Sequence, residues 1–189
     1  MNFKLGFRFL SIAILSIALI GCFGGKSKST IKGAPKLFEK PPTKSGYIYA
    51  TGTAKSSDYQ QAINSAREEA KSELASSIKS EVKGNIEKVF EENLGSASLD
   101  VLNVFSSTIN STFSTLLQDW KIAKKEVVTE GKDYFRAYVL IEWDEGKAQK
   151  RVLDKIKAKK EIYDAVKAND MIKEMEEKVD KYCERYGCD

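Results

Sequence analysis

The chain has 189 residues, of which 31% are charged, with a formal net charge of +4 and no histidine. The missing imidazole removes the commonest general base and metal ligand at neutral pH. The charge is nearly balanced, and nothing in it suggests a nucleic-acid partner.

Lys4 and Arg8 precede an uncharged apolar run over residues 9–20. That run is too short to cross a bilayer, which takes ~20 apolar residues, and fits the apolar region of a secretory signal. It closes on Leu19, Ile20, Gly21 and Cys22. These four residues resemble a bacterial lipobox, which implies cleavage between Gly21 and Cys22 and a diacylglyceryl group on the Cys22 thiol. The alternative is an ordinary secretory signal with an unpaired cysteine nearby, and an odd free thiol in an exported protein then needs its own explanation. A lipid contributes ~0.8 kcal/mol per buried methylene, so two or three chains on Cys22 hold a protein stably at a membrane. Phe23 stands where an aspartate would retain a lipoprotein at the inner membrane. The resemblance therefore implies the outer membrane of a bacterial envelope, facing the periplasm.

Removing residues 1–21 takes away Lys4 and Arg8 and leaves +2. Residues 23–46 hold six lysines, one glutamate and all three prolines, whereas residues 47–189 carry 23 basic and 26 acidic side chains, net −3. Residues 22–46 read as the lipidated cysteine followed by a basic, flexible tether, too poor in apolar side chains to offset the entropy of ordering. Its lysines either remain solvated or touch anionic headgroups.

Folded structure is expected from residue 47. Over residues 47–54, Tyr47, Tyr49, Thr51 and Thr53 alternate with Ile48, Ala50, Gly52 and Ala54, which predicts a strand with one small-residue face. Ala62, Ala66, Ala70, Leu74, Ile78 and Val82 then recur every four residues, predicting a long helix over 57–93. A spacing of four drifts ~40° per step around a 3.6-residue helix. The alanine end of this spiralling stripe suits the small face of the strand, and its Leu/Ile/Val end needs a different neighbour. Gly95 is placed to stop the helix. Ser98 is placed to cap a second one, with Leu102, Phe105, Ile109, Phe113 and Leu116 on its apolar face. Asn110, Ser111 and Thr112 spell a glycosylation acceptor that is taken as chance.

From residue 120 the period changes to two, over 120–129 and again over 133–143, with a turn at 129–133. Phe135, Ala137, Val139, Ile141 and Trp143 share one face of the second run. The order strand, helix, helix, strand, strand, helix defines an α+β domain over 47–143, a three-stranded antiparallel sheet packed on a long helix.

Gly52 and Ala54, the alanines Ala62, Ala66 and Ala70, Trp120, Gly131 and the aromatic strand 134–140 together resemble the LPP-twenty lipoprotein family. The family's strand usually has a first glycine where this chain has Ala50. The resemblance implies a dodecin-like domain in an outer-membrane-associated lipoprotein with no enzymatic activity, and it supplies no catalytic residue.

Residues 144–189 read as a charged helical arm. Val152, Ile156, Tyr163 and Val166 share one face, while Ile172, Met175, Val179, Tyr182 and Tyr186 project roughly 150° away. The arm is either continuous, with two faces, or broken at Asn169 and Asp170. The second stripe has the spacing of a coiled-coil seam; it packs on its own domain or forms a seam for a partner helix or a second copy. At its end, Cys183 and Cys188 are too far apart for a bridge in an intact helix, since the Cα atoms must lie within ~7 Å. A Schellman turn at Gly187 brings the two positions together, so a Cys183–Cys188 disulfide is expected in an oxidising periplasm.

The functional expectation is a membrane-anchored, non-enzymatic envelope lipoprotein acting as an interaction or assembly component. Its partners are the membrane, through the lipid on Cys22, and an envelope protein or a second copy; no metal or cofactor is expected beyond that lipid. Glu68, Glu69 and Glu73 read as a solvated face. The alternative is a periplasmic small-ligand module with Tyr47, Tyr49, Tyr134 and Tyr138 lining the sheet face.

Overall fold

The computed structural model describes residues 34–93 and 95–188. The expected signal peptide, Gly21, Cys22 and most of the tether lie outside the described residues. β1 (Tyr47–Ser56) leads into α2 (Tyr59–Asn93), after a short α1 (Lys36–Glu39). α3 (Leu99–Leu116) precedes the hairpin of β2 (Lys121–Glu130) and β3 (Tyr134–Asp144), and three helices follow, α4 (Glu145–Lys157), α5 (Lys160–Val166) and α6 (Asp170–Tyr186). The sheet is antiparallel throughout with β3 in the centre, order β1-β3-β2. This is the α+β architecture expected, a three-stranded sheet on a 35-residue helix.

Local chemistry sets the element ends. Asp58 Oδ1 accepts from the Gln61 N–H at 2.6 Å and starts α2, and Gly95 takes a φ of +91° beyond its end. Ser98 accepts from the Val101 N–H at 3.3 Å and caps α3. Asn169 accepts from Met171 N–H at 2.9 Å and caps α6, so the arm breaks at Asn169 and Asp170, and breaks again between α4 and α5.

The inner sheet face packs on α2. Ala62, Ala66 and Ala70 are fully buried, and a Cβ built on Gly52 would overlap the backbone of Ala66 and sit 2.5 Å from the Ala70 nitrogen. Farther along, Ile78 and Val82 share a small cavity with Phe113, Trp143 and Met175, so the second half of the stripe meets α3, β3 and α6. Trp143 anchors this region by donating its Nε1–H to the Leu116 carbonyl at 2.8 Å.

The structure adds detail at both ends of the described chain. Residues 34–46 do not continue a flexible tether: Phe38 of α1 is 8% exposed and packs on Tyr138 and Leu140 of the outer sheet face. Ala34 and Leu37 pack beside Phe38 in the same small cluster. Of the two alternatives for the second stripe of the arm, packing on its own domain is the one seen for its apolar residues. Ile172, Met175 and Val179 belong to the main core together with Val152, Ile156 and Val166, because the break at Asn169 turns α6 back against α4 and α2.

Candidate functional site

The outer sheet face carries the tyrosines singled out from the sequence, and the register puts Tyr47, Tyr49, Tyr134 and Tyr138 on one side of the sheet. They do not share one cavity. Tyr138 is 3% exposed, its ring 5.5 Å from that of Phe38. Tyr134 lies at the far end of the face, its ring 4.4 Å from the Lys55 ammonium. Tyr47 and Tyr49 line an open groove of about 570 Å³, walled by the loop from Pro41 to Ser45. Tyr49 donates its hydroxyl proton to Glu142 at 3.2 Å, and both burial and that carboxylate raise the phenol's pKa. The Lys44 ammonium sits 3.4 Å from the centre of the Tyr47 ring.

The end of α6 closes one side of this region. Tyr182 donates to Asp144 Oδ2 at 2.9 Å, and its ring lies against Gly46 and Gly146, where an added Cβ would overlap it. The Gly146 N–H donates to the Gly46 carbonyl at 3.0 Å, bringing the two glycines together. Burial first, and the Asp144 carboxylate second, push the Tyr182 phenol far above its ordinary pKa. Tyr186 donates to the Ser45 carbonyl at 3.2 Å and meets the Tyr47 ring edge-on at 5.7 Å. Of the expected seam, only these two tyrosines reach the outer face.

Cys183 and Cys188 are at bonding distance, with Cα atoms 4.9 Å apart. The turn that joins them differs from the one expected. Gly187 has φ 79° but an extended ψ of 157°, and its N–H continues the helical pattern to the Cys183 carbonyl at 2.9 Å. This is a glycine-dependent exit from the helix, not a Schellman turn, because the left-handed ψ is absent.

Sequence reasoning missed the part played by four residues. Phe38 was lost in the average of a lysine-rich segment. Gly46 and Gly146, which seat Tyr182, are marked in the sequence only by being glycine next to the ends of strands. Glu69 was read as solvated, but its Oε2 accepts the Thr53 N–H at 2.8 Å and blocks the outer edge of β1. The other sheet edge, β2, is defended by Lys121, Lys124, Lys125 and a bulge between Ile122 and Lys124. Among the described residues, no group of three or more acidic or cysteine side chains is placed to hold a metal ion, and no helix is long and apolar enough to cross a membrane.

Comparison with family models, curated proteins and solved structures finds no match to this chain.

Proposed function

We propose that this chain is a non-enzymatic bacterial envelope lipoprotein of the LPP-twenty type, anchored through Cys22 and acting as an interaction or assembly component. The observation that carries the reading is the strap. Phe38 ties the chain to Tyr138 and Leu140, and Ala34, which packs beside them, stands 12 residues after Cys22 in the sequence. Twelve residues reach at most roughly 40 Å, which keeps the domain close to the membrane holding the lipid. The strap carries Lys36, Lys40 and Lys44.

The test is metabolic labelling with an alkyne fatty acid in the native host, followed by membrane fractionation and crosslinked affinity purification. Label and membrane retention in the natural chain, both lost in Cys22→Ala, with an envelope protein or a second copy recovered, are expected. An unlabelled chain released in soluble form would sink the reading. The groove at Tyr47 and Tyr49 favours a second reading, a small-ligand module. A ligand retained by the natural chain and lost in Tyr49→Ala, with no protein recovered, would select it.

A further inference from the structure

α3 ends at Leu116 and the chain turns through Asp119 and Trp120 into β2, while β3 ends at Asp144 and passes directly into α4. Both junctions line one open cavity of about 340 Å³. Its volume lies toward the small end of ordinary ligand pockets, which span ~300–1,000 Å³. It shares no residue with the groove at Tyr47 and Tyr49. The chain has two tryptophans, Trp120 and Trp143, and both line this cavity.

The apolar part of the wall is Leu116, Trp143 and Ala148, all buried, with the half-buried Trp120. Its polar atoms are matched already. The Leu116 carbonyl accepts from Trp143 Nε1–H at 2.8 Å and from the Asp119 N–H at 3.0 Å. A sugar would leave hydroxyls unpaired against such a wall, whereas an apolar ring strands nothing there.

Four charged residues complete the lining, and they are not equally engaged. Asp119 Oδ2 lies 3.5 Å from Arg151 Nη1. Asp144 uses both oxygens, accepting from the Lys147 N–H and from the Tyr182 hydroxyl, each at 2.9 Å. The Lys71 ammonium, 5.4 Å from the centre of the Trp120 ring, is held by Glu68 at 2.8 Å. The Lys121 and Lys147 ammonium groups have no carboxylate partner among the described residues. The unmet charge of the cavity is therefore positive.

We propose that this cavity binds a small monoanion built on one apolar ring, with its carboxylate at Lys121 and Lys147 and its ring against Trp120. With Arg151 counted, three cations stand against two carboxylates, so a single negative charge balances the site. A second negative charge would meet Asp119 and Asp144. Covering the apolar wall supplies most of the affinity, and the two exposed ammonium groups supply the selectivity for an anion. The inference makes no use of the anchor at Cys22, and loss of the lipid label in the experiment above would leave it standing.

The test is intrinsic tryptophan fluorescence of the purified full-length chain in detergent, titrated with phenylacetate. Acetate, which lacks the ring, and benzyl alcohol, which lacks the charge, are the comparison probes. Both tryptophans line the cavity, so the signal reports this site. Phenylacetate is expected to give a saturable change at millimolar concentration, and both comparison probes to bind about tenfold more weakly or worse. Replacing both lysines, Lys121→Gln with Lys147→Gln, is expected to weaken phenylacetate about tenfold, roughly threefold from each ammonium. Benzyl alcohol binding and the thermal unfolding midpoint should not change. Lys83→Gln, exposed on α2, removes a charge far from the cavity and should leave every titration as it was. No saturable change with phenylacetate would overturn the proposal. Equal binding of the three probes, or equal weakening by Lys83→Gln and the double variant, would overturn it as well.

Discussion

Gly52 of β1 lies directly on the backbone of Ala66 in α2, with no room for a Cβ between strand and helix. The next turn is as close, since the same Cβ would sit 2.5 Å from the Ala70 nitrogen. Neither neighbour is a side chain that can rotate away. Gly52→Ala must push α2 off the sheet, and insertion of a single carbon into such a site costs about 1–3 kcal/mol, toward the upper end where backbone has to move. The expected result is a lower midpoint in urea or thermal unfolding of the full chain. An unchanged midpoint would mean the helix does not rest on this strand.

Tyr182 and Asp144 connect the last helix to the start of α4. Asp144 uses one oxygen to cap α4, accepting from the Lys147 N–H at 2.9 Å, and the other to accept from Tyr182. Tyr182→Phe keeps the ring on Gly46 and Gly146 but removes the hydroxyl. A hydrogen bond to a charged acceptor contributes about 1.5–3 kcal/mol. A loss in that range is expected from denaturant titration, with far-UV circular dichroism unchanged. A loss below ~0.5 kcal/mol would mean that water replaces the hydroxyl without penalty.

Periodicity exposed the helices and the hairpin because each has a repeating buried face, and α2 even announced its change of neighbour through its four-residue drift. Periodicity names a face and not what covers it. The α6 stripe was thus visible, yet Ile172, Met175 and Val179 carried no sign that their neighbours were α2 and α4. The strap fared worse, because a four-residue helix held by Phe38 has no period at all. Of the candidate site, Tyr47 and Tyr49 were legible as members of one strand face. The closure of that face by Phe38, Tyr182 and Tyr186 joins residues about 90 to 150 positions apart or brings in the preceding strap, and local pattern contains no such information.

The pairing of Cys183 with Cys188 closes a loop of only six residues. Chain-entropy reasoning gives such a loop about 2 kcal/mol. Cys183→Ser is therefore expected to leave the core folded and to act locally, loosening Tyr186 from Ser45 and Tyr47. Hydrogen exchange confined to the end of α6 would report it. In the natural chain, an unreduced C-terminal peptide with no alkylatable thiol is expected by mass spectrometry, and two modified thiols would refute the bond.

Glu145 gives the fold a pH dependence whose sign can be worked out. Its carboxylate, at the start of α4, accepts from Gln149 Nε2 at 2.7 Å. Burial raises its pKa, repulsion from Glu81 on α2 raises it further, and Lys178 on α6 only partly opposes them. A carboxyl group with a folded pKa above its unfolded value contributes stability fully below the unfolded pKa, and that contribution is lost as pH rises through the folded value. At neutral pH Glu145 is therefore an ionised group the fold would rather hold protonated. Glu145→Gln keeps the size and an acceptor for Gln149 while removing the charge. The variant is expected to be more stable than the natural chain at pH 7, by up to about 1 kcal/mol. The gap should narrow as the pH falls toward the ordinary carboxylate range and Glu145 takes up its proton. Unfolding midpoints for the two chains across that range decide the matter, and a natural chain more stable than the variant at pH 7 would show that Lys178 dominates.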